Sequence, residues 1–243
     1  MRTARRILQI FEIFAAKGQP LTLSELASEL AIPPSSCFGL LKSMIEHGYL
    51  YSVGSKKHLY PTRLMLQHTL AIDRHEPILP RLMPRLERLR TETRETILLA
   101  QLNFSEPSVV YLAVLEGLEL IRYTAAIGLV RAIEQAATGK ALLSHMNDKA
   151  LNTMLGKLRL KNVEDREAFI ARLKTELAEG KSRGYLIHRG QNVVDVTSIA
   201  KPLSIAGRDF AIGIAGPVHR MELNFDACVD ALNATCADLE RPS

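Results

Sequence analysis

The sequence PLTLSELASELAIPPSSCFGLLKSMIEHGYL, residues 20–50, predicts the fold of the N-terminal part of the chain. Thr22 and Glu25 form the Thr-x-x-Glu capping-box pattern at the start of a short apolar helix. Pro33 ends this helix, and Pro34 is compatible with the first turn of the next one. Two short apolar helices joined by a turn of about four residues have the geometry that presents the second helix to a major groove.

The segments on both sides of this stretch add a helix before it and a hairpin after it. Residues 7–16 have apolar side chains at helical spacing, and polar residues interrupt the run, which argues against a signal peptide. Residues 49–53 and 58–60 predict two strands of a wing whose tip contains two adjacent lysines. Basic side chains at such a tip are typical of DNA-backbone contacts, although three helices and a hairpin also occur in protein-interaction modules.

Composition supports a soluble protein with a basic N-terminal part. Of 243 residues, 47% are apolar and 23% are charged, as in ordinary globular proteins. The first 75 residues contain nine basic and five acidic side chains, whereas the remaining 168 contain 22 and 21. We therefore expect any polyanion to bind the N-terminal part. The chain lacks 18 consecutive apolar residues, and its three cysteines have no zinc-site spacing, so we expect a cytoplasmic protein without a membrane span.

The remaining two thirds of the chain predict a different architecture. Helical spacing predicts a linker helix near Leu64 and a second helix from Leu79 to Leu89. Apolar runs separated by turns predict strands at 96–103, 108–116, 118–125, 186–188, 196–204 and 209–215. Helices are predicted at 138–146, 149–155, 163–184 and 223–239. Helices on one antiparallel sheet define an α+β domain.

The sequence shows no catalytic or metal-binding constellation. Gly139 and Lys140 resemble part of a phosphate-binding loop, but Glu134 and Ala141 stand where that motif requires glycine and Ser or Thr. The histidines have no paired spacing with carboxylates that suits a metal. We therefore expect neither an enzyme nor a cofactor.

The order of motifs along the chain resembles the IclR family of bacterial transcriptional regulators. The resemblance starts at RRIL, residues 5–8, and includes residues 20–27, 32–36 and 48–50. It continues through ATGKALL, residues 137–143, and through three later segments at 184–185, 199–202 and 215–217. It implies an N-terminal winged helix-turn-helix at 1–62, a linker helix at 63–76 and an α+β, GAF-like effector-binding domain with an antiparallel sheet at 77–243.

The resemblance also indicates which residues contact DNA. Gly39 stands where the family usually has arginine, so neighbouring residues of the helix, the wing and the N-terminal arginines must contribute more to binding. The predicted DNA contacts are Arg2, Arg5, Arg6, Ser35, Ser36, Cys37, Phe38, Lys42, Lys56 and Lys57. Cys37 is also compatible with a small apolar filler in the helix.

The resemblance places a small-molecule effector against the Gly-Lys helix and the last strands. The predicted effector contacts are Ala137, Thr138, Gly139, His188, Asp195, Ser198, Gly213 and Ala215. A helix N-terminus at Thr138 would favour a carboxylate. Gly213 and Ala215 stand where some members have serines, which predicts a roomier and more apolar pocket for an aromatic or other medium-sized carboxylic acid. Asp195 would repel such an acid if it faced the cavity, so we expect it either to point to solvent or to select an amine or hydroxyl of the ligand.

The predicted function is therefore ligand-responsive transcription regulation. A homodimer, or a dimer of dimers, would bind a double-stranded, pseudopalindromic operator as a repressor or an activator, and the effector would change its arrangement or affinity. The alternative is a metabolite-binding or enzymatic protein that uses its N-terminal module for protein contacts.

Overall fold

The computed structural model describes residues 2–54, 57–103, 106–158, 165–190 and 193–241. It divides into two compact units, residues 1–77 and residues 78–243.

The first unit begins with three helices. They are α1 (Arg2–Lys17), α2 (Leu23–Glu29) and α3 (Pro34–Glu46). The predicted capping box at the start of α2 is confirmed, because the Thr22 hydroxyl accepts from the Glu25 amide and the Glu25 carboxylate accepts from the Thr22 amide at 2.7 Å. After α3, Gly48 adopts a φ of 76°, which a glycine reaches without strain at the end of a helix.

The wing follows α3. Its strands are β1 (Leu50–Val53) and β2 (His58–Pro61), which pair antiparallel with Leu50 opposite Pro61. A backbone bridge between Leu21 and Leu59 joins β2 to the segment before α2. The Thr62 hydroxyl donates to the Gly48 carbonyl at 2.6 Å, just before α4 (Leu64–Arg74) begins. The core of this unit consists of apolar residues from α1, α2, α3, both strands and the segment before α2. They are Ile10, Phe14, Leu21, Leu26, Ala27, Cys37, Leu41, Met44, Leu50 and Leu59.

The second unit is built on an antiparallel sheet. In chain order its described strands are β3 (Thr96–Asn103), β4 (Ser108–Leu115), β5 (Val130–Ala132), β6 (Leu186–Arg189), β7 (Val196–Ile205) and β8 (Arg208–Pro217). Their spatial order is β5-β4-β3-β8-β7-β6. The sheet therefore has two edges, formed by β5 and β6.

Helices cover both faces of this sheet. One face packs on α5 (Leu79–Thr93), α9 (Val218–Leu223) and α10 (Phe225–Glu240) around a core that includes Leu86, Ile214 and Leu232. The other face packs on α6 (Ala137–His145), which also contacts α8 (Arg166–Arg183). A further helix, α7 (Asp148–Gly156), lies between them in sequence. The predicted α+β class is thus observed.

Two predicted elements differ from the structure. The predicted strand at 118–125 is wrong, because this segment pairs with no described strand. The third strand of this sheet in chain order is instead β5. Side chains hold the segment instead, since the Thr96 hydroxyl donates to the Tyr123 carbonyl and Arg220 donates to the Ile121 carbonyl at 2.9 Å. The predicted closing helix at 223–239 corresponds to α10. A separate short helix, α9, comes before it, and Asn224 caps the end of α9 and the start of α10.

Candidate functional site

The exposed face of α3 is the first candidate site. Four residues of α3 that the sequence predicts to contact DNA have exposed side chains: Ser35, Ser36, Phe38 and Lys42. The N-cap residue of α3 is Pro33, which offers no side-chain hydrogen bond to the amides of the first turn. Free amides and hydroxyls at a helix start are donors suited to phosphate oxygens.

Cys37 is the exception on this helix and corrects one prediction. Its side chain is completely buried and belongs to the core of the unit, because it lies on the buried face of α3 together with Leu41 and Met44. Burial raises the pKa of its thiol. We therefore assign Cys37 to packing and remove it from the predicted DNA contacts.

The basic residues predicted to contact phosphates lie on α1 and the wing. Arg5 is exposed and Arg6 is half-buried on α1, which begins at Arg2. Lys57 is exposed beside β2, whereas Lys56 lies outside the described residues. These positions leave Arg5 and Lys57 accessible to a ligand.

The second candidate site is a cleft in the second unit, between the start of α6 and the sheet. It encloses about 460 Å³, including its open mouth. Six of the predicted effector contacts line it: Ala137, Thr138, His188, Ser198, Gly213 and Ala215.

His188 is a buried polar side chain in this cleft. Its ring is 7% exposed, and neither ring nitrogen has a hydrogen-bond partner among the described residues. Burial lowers the pKa of His188 to about 4, and the positive charge of Lys140 acts in the same direction. The ring is therefore neutral at pH 7, with one nitrogen available as a donor and the other as an acceptor.

Thr138 lies opposite the sheet in the first turn of α6. Its hydroxyl is buried and makes no hydrogen bond of good geometry within the described part of the chain, although it lies near the Tyr111 phenol. Gly213 of β8 allows this approach, because a Cβ atom there would lie 2.8 Å from the Thr138 Cγ2 atom. Buried polar groups in proteins are normally hydrogen-bonded, so the unpaired groups of Thr138 and His188 indicate a place for a polar ligand.

Two of the predicted effector contacts do not line the cleft. Gly139 packs against the backbone of Ile133, where a Cβ atom would lie 2.0 Å from the carbonyl oxygen, so this glycine positions α6. Asp195 has an exposed side chain, and its carbonyl accepts from the Val218 amide at 3.0 Å. The repulsion expected from an inward Asp195 therefore does not arise, and we remove both residues from the predicted effector contacts.

Sequence reasoning missed the aromatic and cationic residues of the cleft. Tyr111, Tyr123 and Arg131 line it, together with apolar residues such as Leu98 and Val196. Burial and the neighbouring Tyr123 raise the pKa of Tyr111 to about 12, so its phenol stays protonated. Arg131 is a half-buried positive charge on β5. The alternation of buried side chains along β4 could have identified Tyr111, because Tyr111 lies on the same face of this strand as the core residue Val109.

Taken together, the cleft combines an apolar and aromatic wall with a few polar groups. The residues that the structure describes contain no cluster of His, Cys, Asp or Glu suited to a metal ion. Within the same residues, no helix is long and apolar enough to cross a membrane. The arrangement suits binding of a small molecule with a ring and a polar or negatively charged group.

Comparison with protein families assigns both units. A family model described as the IclR helix-turn-helix domain matches residues 3–54. A second one, described as the C-terminal domain of the bacterial transcriptional regulator IclR, matches residues 70–241.

Two similar proteins are repressors. The acetate operon repressor of Salmonella typhimurium is 24% identical over 225 residues, which cover 91% of this chain and 82% of the repressor. The transcriptional repressor IclR of Escherichia coli is 24% identical over 227 residues, with the same two coverages.

Solved structures share the fold. The IclR structure from Thermotoga maritima superposes with a TM-score of 0.76 at 20% identity, covering 99% of this chain and 98% of that one. An IclR homologue from Microbacterium hydrocarbonoxydans, complexed with 4-hydroxybenzoate, superposes with a TM-score of 0.75 at 22% identity, covering 98% and 97%. These superpositions confirm the predicted fold class.

Proposed function

Because the chain belongs to the IclR family of bacterial transcriptional regulators, we propose that it binds operator DNA as a homo-oligomer and that an aromatic carboxylic acid controls this binding. Family membership confirms the resemblance found in the sequence. It also agrees with the prediction of a regulator and not an enzyme.

The proposed DNA-binding surface consists of the exposed face of α3, α1 and the wing. Ser35, Ser36 and Phe38 would face the major groove, while Lys42 and Lys57 would approach phosphates, as would Arg2, Arg5, Arg6 and Lys56. The net charge of the first 75 residues supports this assignment. A two-fold oligomer would require two half-sites about one helical turn, or a multiple of it, apart.

The observation that supports the proposed effector site most strongly is the pair of unpaired buried groups in the cleft. A carboxylate could accept from the Thr138 hydroxyl and from a His188 N–H, and Arg131 would supply positive charge nearby. Tyr111 and Tyr123 would contact an aromatic ring. The homologue from Microbacterium hydrocarbonoxydans, whose structure contains 4-hydroxybenzoate, supports this class of ligand.

A ligand screen tests the effector class. Thermal unfolding of the full chain would be followed with benzoate, 4-hydroxybenzoate and phenylacetate, and in parallel with acetate and pyruvate. A ligand at about 100 times its Kd stabilises the native state by about 2.7 kcal/mol, so specific acids would raise Tm by several degrees. We expect the aromatic acids to raise Tm. Stabilisation by the two- and three-carbon acids alone would contradict the proposal.

A pair of histidine variants locates the ligand. His188→Leu is expected to weaken the stabilisation by aromatic acids at least tenfold in apparent Kd, because leucine has no hydrogen-bonding atom to replace the ring nitrogens. His219→Leu changes an exposed histidine of α9 and serves as the matched control. Equal ligand responses of both variants would exclude the cleft as the binding site.

DNA binding is tested by its dependence on salt. Duplexes selected from a random library would be titrated with the full chain at several salt concentrations. We expect log Kd to change steeply and linearly with log salt, because phosphate contacts release counterions. Lys57→Ala should reduce that slope by about one unit. A flat dependence would contradict the proposed surface.

A further inference from the structure

The exposed face of α3 has an unusual composition for a DNA-contacting surface. Phe38 is 57% exposed in the second turn of the helix. Ser35 lies three residues before it and Lys42 four residues after it, so the three side chains share one face. The central side chain of this face is therefore an aromatic ring without hydrogen-bonding atoms.

Packing within the unit does not account for the exposure of this ring. The opposite face of α3 contributes Cys37, Leu41 and Met44 to the core. Beside Phe38, apart from the chain neighbours of Gly39 and the backbone of α3 itself, no atom of the described residues lies within 4 Å of the position that a Cβ atom would take on Gly39. The ring thus projects from the helix next to open space that a neighbouring surface can fill.

The chemistry of base edges restricts what such a ring can recognise. In the major groove, guanine, cytosine and adenine offer hydrogen-bonding groups, whereas thymine adds a C5-methyl group. Apolar side chains, phenylalanine among them, contact this methyl group. A guanidinium beside the ring could pair with guanine, but position 39 is glycine.

We propose that Phe38 contacts the C5-methyl group of a thymine in each operator half-site and thereby determines sequence preference at that base pair. This inference rests on the proposed function, since it requires α3 to enter the major groove. It goes further in naming the base and the chemical group that the chain recognises.

Deoxyuridine substitution tests the contact directly. Duplexes of about 30 base pairs would be selected from a random library with the full chain, and each thymine would then be replaced singly by deoxyuridine, which removes only the methyl group. We expect one thymine per half-site at which the replacement weakens binding about three- to fivefold, as for the loss of one buried methyl contact. Replacement in both half-sites should weaken binding about tenfold or more.

Two protein variants assign the effect to the ring. Phe38→Ala should bind the thymine and deoxyuridine duplexes equally well, whereas Phe38→Leu, which keeps an apolar contact, should retain part of the difference. Tyr51→Ala removes another exposed aromatic residue of the same unit, at 48% exposure on β1, and should retain the full difference.

The outcomes separate this inference from the proposed function. Selection of specific duplexes that tolerate every deoxyuridine replacement would overturn the thymine contact and leave DNA binding intact. An undiminished methyl effect in Phe38→Ala would assign it to another residue and equally overturn the inference. Failure to select any duplex would overturn the proposed function together with the inference.

Discussion

At the scale of single residues, His188 links stability to pH. Because burial lowers the pKa of its ring to about 4, the folded protein keeps the ring neutral where an unfolded chain, with a histidine pKa near 6.5, protonates it. Between these two values the unfolded state binds more protons, so the free energy of unfolding decreases as the pH falls.

We expect His188→Gln to remove this part of the pH dependence. In the unmodified protein, the contribution of His188 lowers the free energy of unfolding by about 2 kcal/mol between pH 7 and pH 5. Urea unfolding at the two pH values, followed by circular dichroism, measures the difference between the protein and the variant. Identical pH dependence in both would show that His188 titrates normally. His219→Gln should leave the dependence unchanged.

The site residues were predictable to different extents for physical reasons. Thr138 and Ser198 follow from the family motif, and the structure places both in the cleft. Tyr123 and Arg131 were missed because they reach the cleft from a segment that leaves the sheet and returns at β5. The sequence left the orientation of Asp195 open, because the side chain of a residue just before a strand can face the cavity or solvent, and in the structure it is exposed.

At the scale of secondary-structure elements, the glycine in α3 offers a test of DNA recognition. Gly39→Arg places a guanidinium where the neighbouring space is open. We expect duplexes selected with this variant to gain a guanine, and affinity for those duplexes to increase about tenfold, because arginine pairs with two guanine acceptors for about 1–3 kcal/mol. The measurement is fluorescence anisotropy on duplexes with and without that guanine.

Gly39→Ala is the control for this variant. Alanine stabilises a helix interior relative to glycine by up to about 1 kcal/mol but adds no guanidinium. It should therefore leave base preference unchanged. A guanine preference in Gly39→Ala, or none in Gly39→Arg, would show that position 39 does not face a base.

The pair Glu95 and Arg220 connects β3 to α9 and to the segment that contains Tyr123. The Glu95 side chain is 2% exposed and accepts from both Arg220 Nε and Arg220 Nη2, the latter at 2.8 Å. This carboxylate also explains Gly216, since a Cβ atom there would lie 2.3 Å from its Oε2 atom. Removing the arginine would leave a buried carboxylate without its counter-ion.

We expect Arg220→Ala to lower the free energy of unfolding by about 3 kcal/mol, the lower end of the range for breaking a buried ion pair, because Glu95 is buried whereas the Arg220 side chain is 28% exposed. Arg122→Ala breaks a more exposed pair with Glu116 and should cost less than about 1 kcal/mol. Urea unfolding of both variants provides the comparison. Similar midpoints would contradict the structural role of Glu95.

Sequence rules for helix caps, proline positions and apolar spacing predicted the elements that depend on residues close to them in sequence. The capping box of α2, the proline start of α3 and the apolar spacing of α5 all correspond to observed helices. The segment 118–125 was predicted as a strand because it is apolar. Its conformation depends instead on Thr96 and Arg220, which are distant in sequence, and its Leu120 and Ile121 side chains are exposed.

At the scale of the whole molecule, charge and chemistry are divided between the two units. The excess of basic residues lies in the first 75 positions, whereas the remaining positions are nearly neutral. The cleft with its unpaired polar groups lies in the second unit. Control of DNA binding by an effector then requires the acid to bind one arrangement of the oligomer better than another.

The most direct test of the central claim is a titration of a selected duplex with the full chain in the presence and absence of an aromatic acid that stabilises the protein. Fluorescence anisotropy at fixed salt gives the two Kd values. We predict a change of at least fivefold, the lower range of allosteric coupling, and the loss of this change in His188→Leu. Equal Kd values with and without bound acid would contradict effector control.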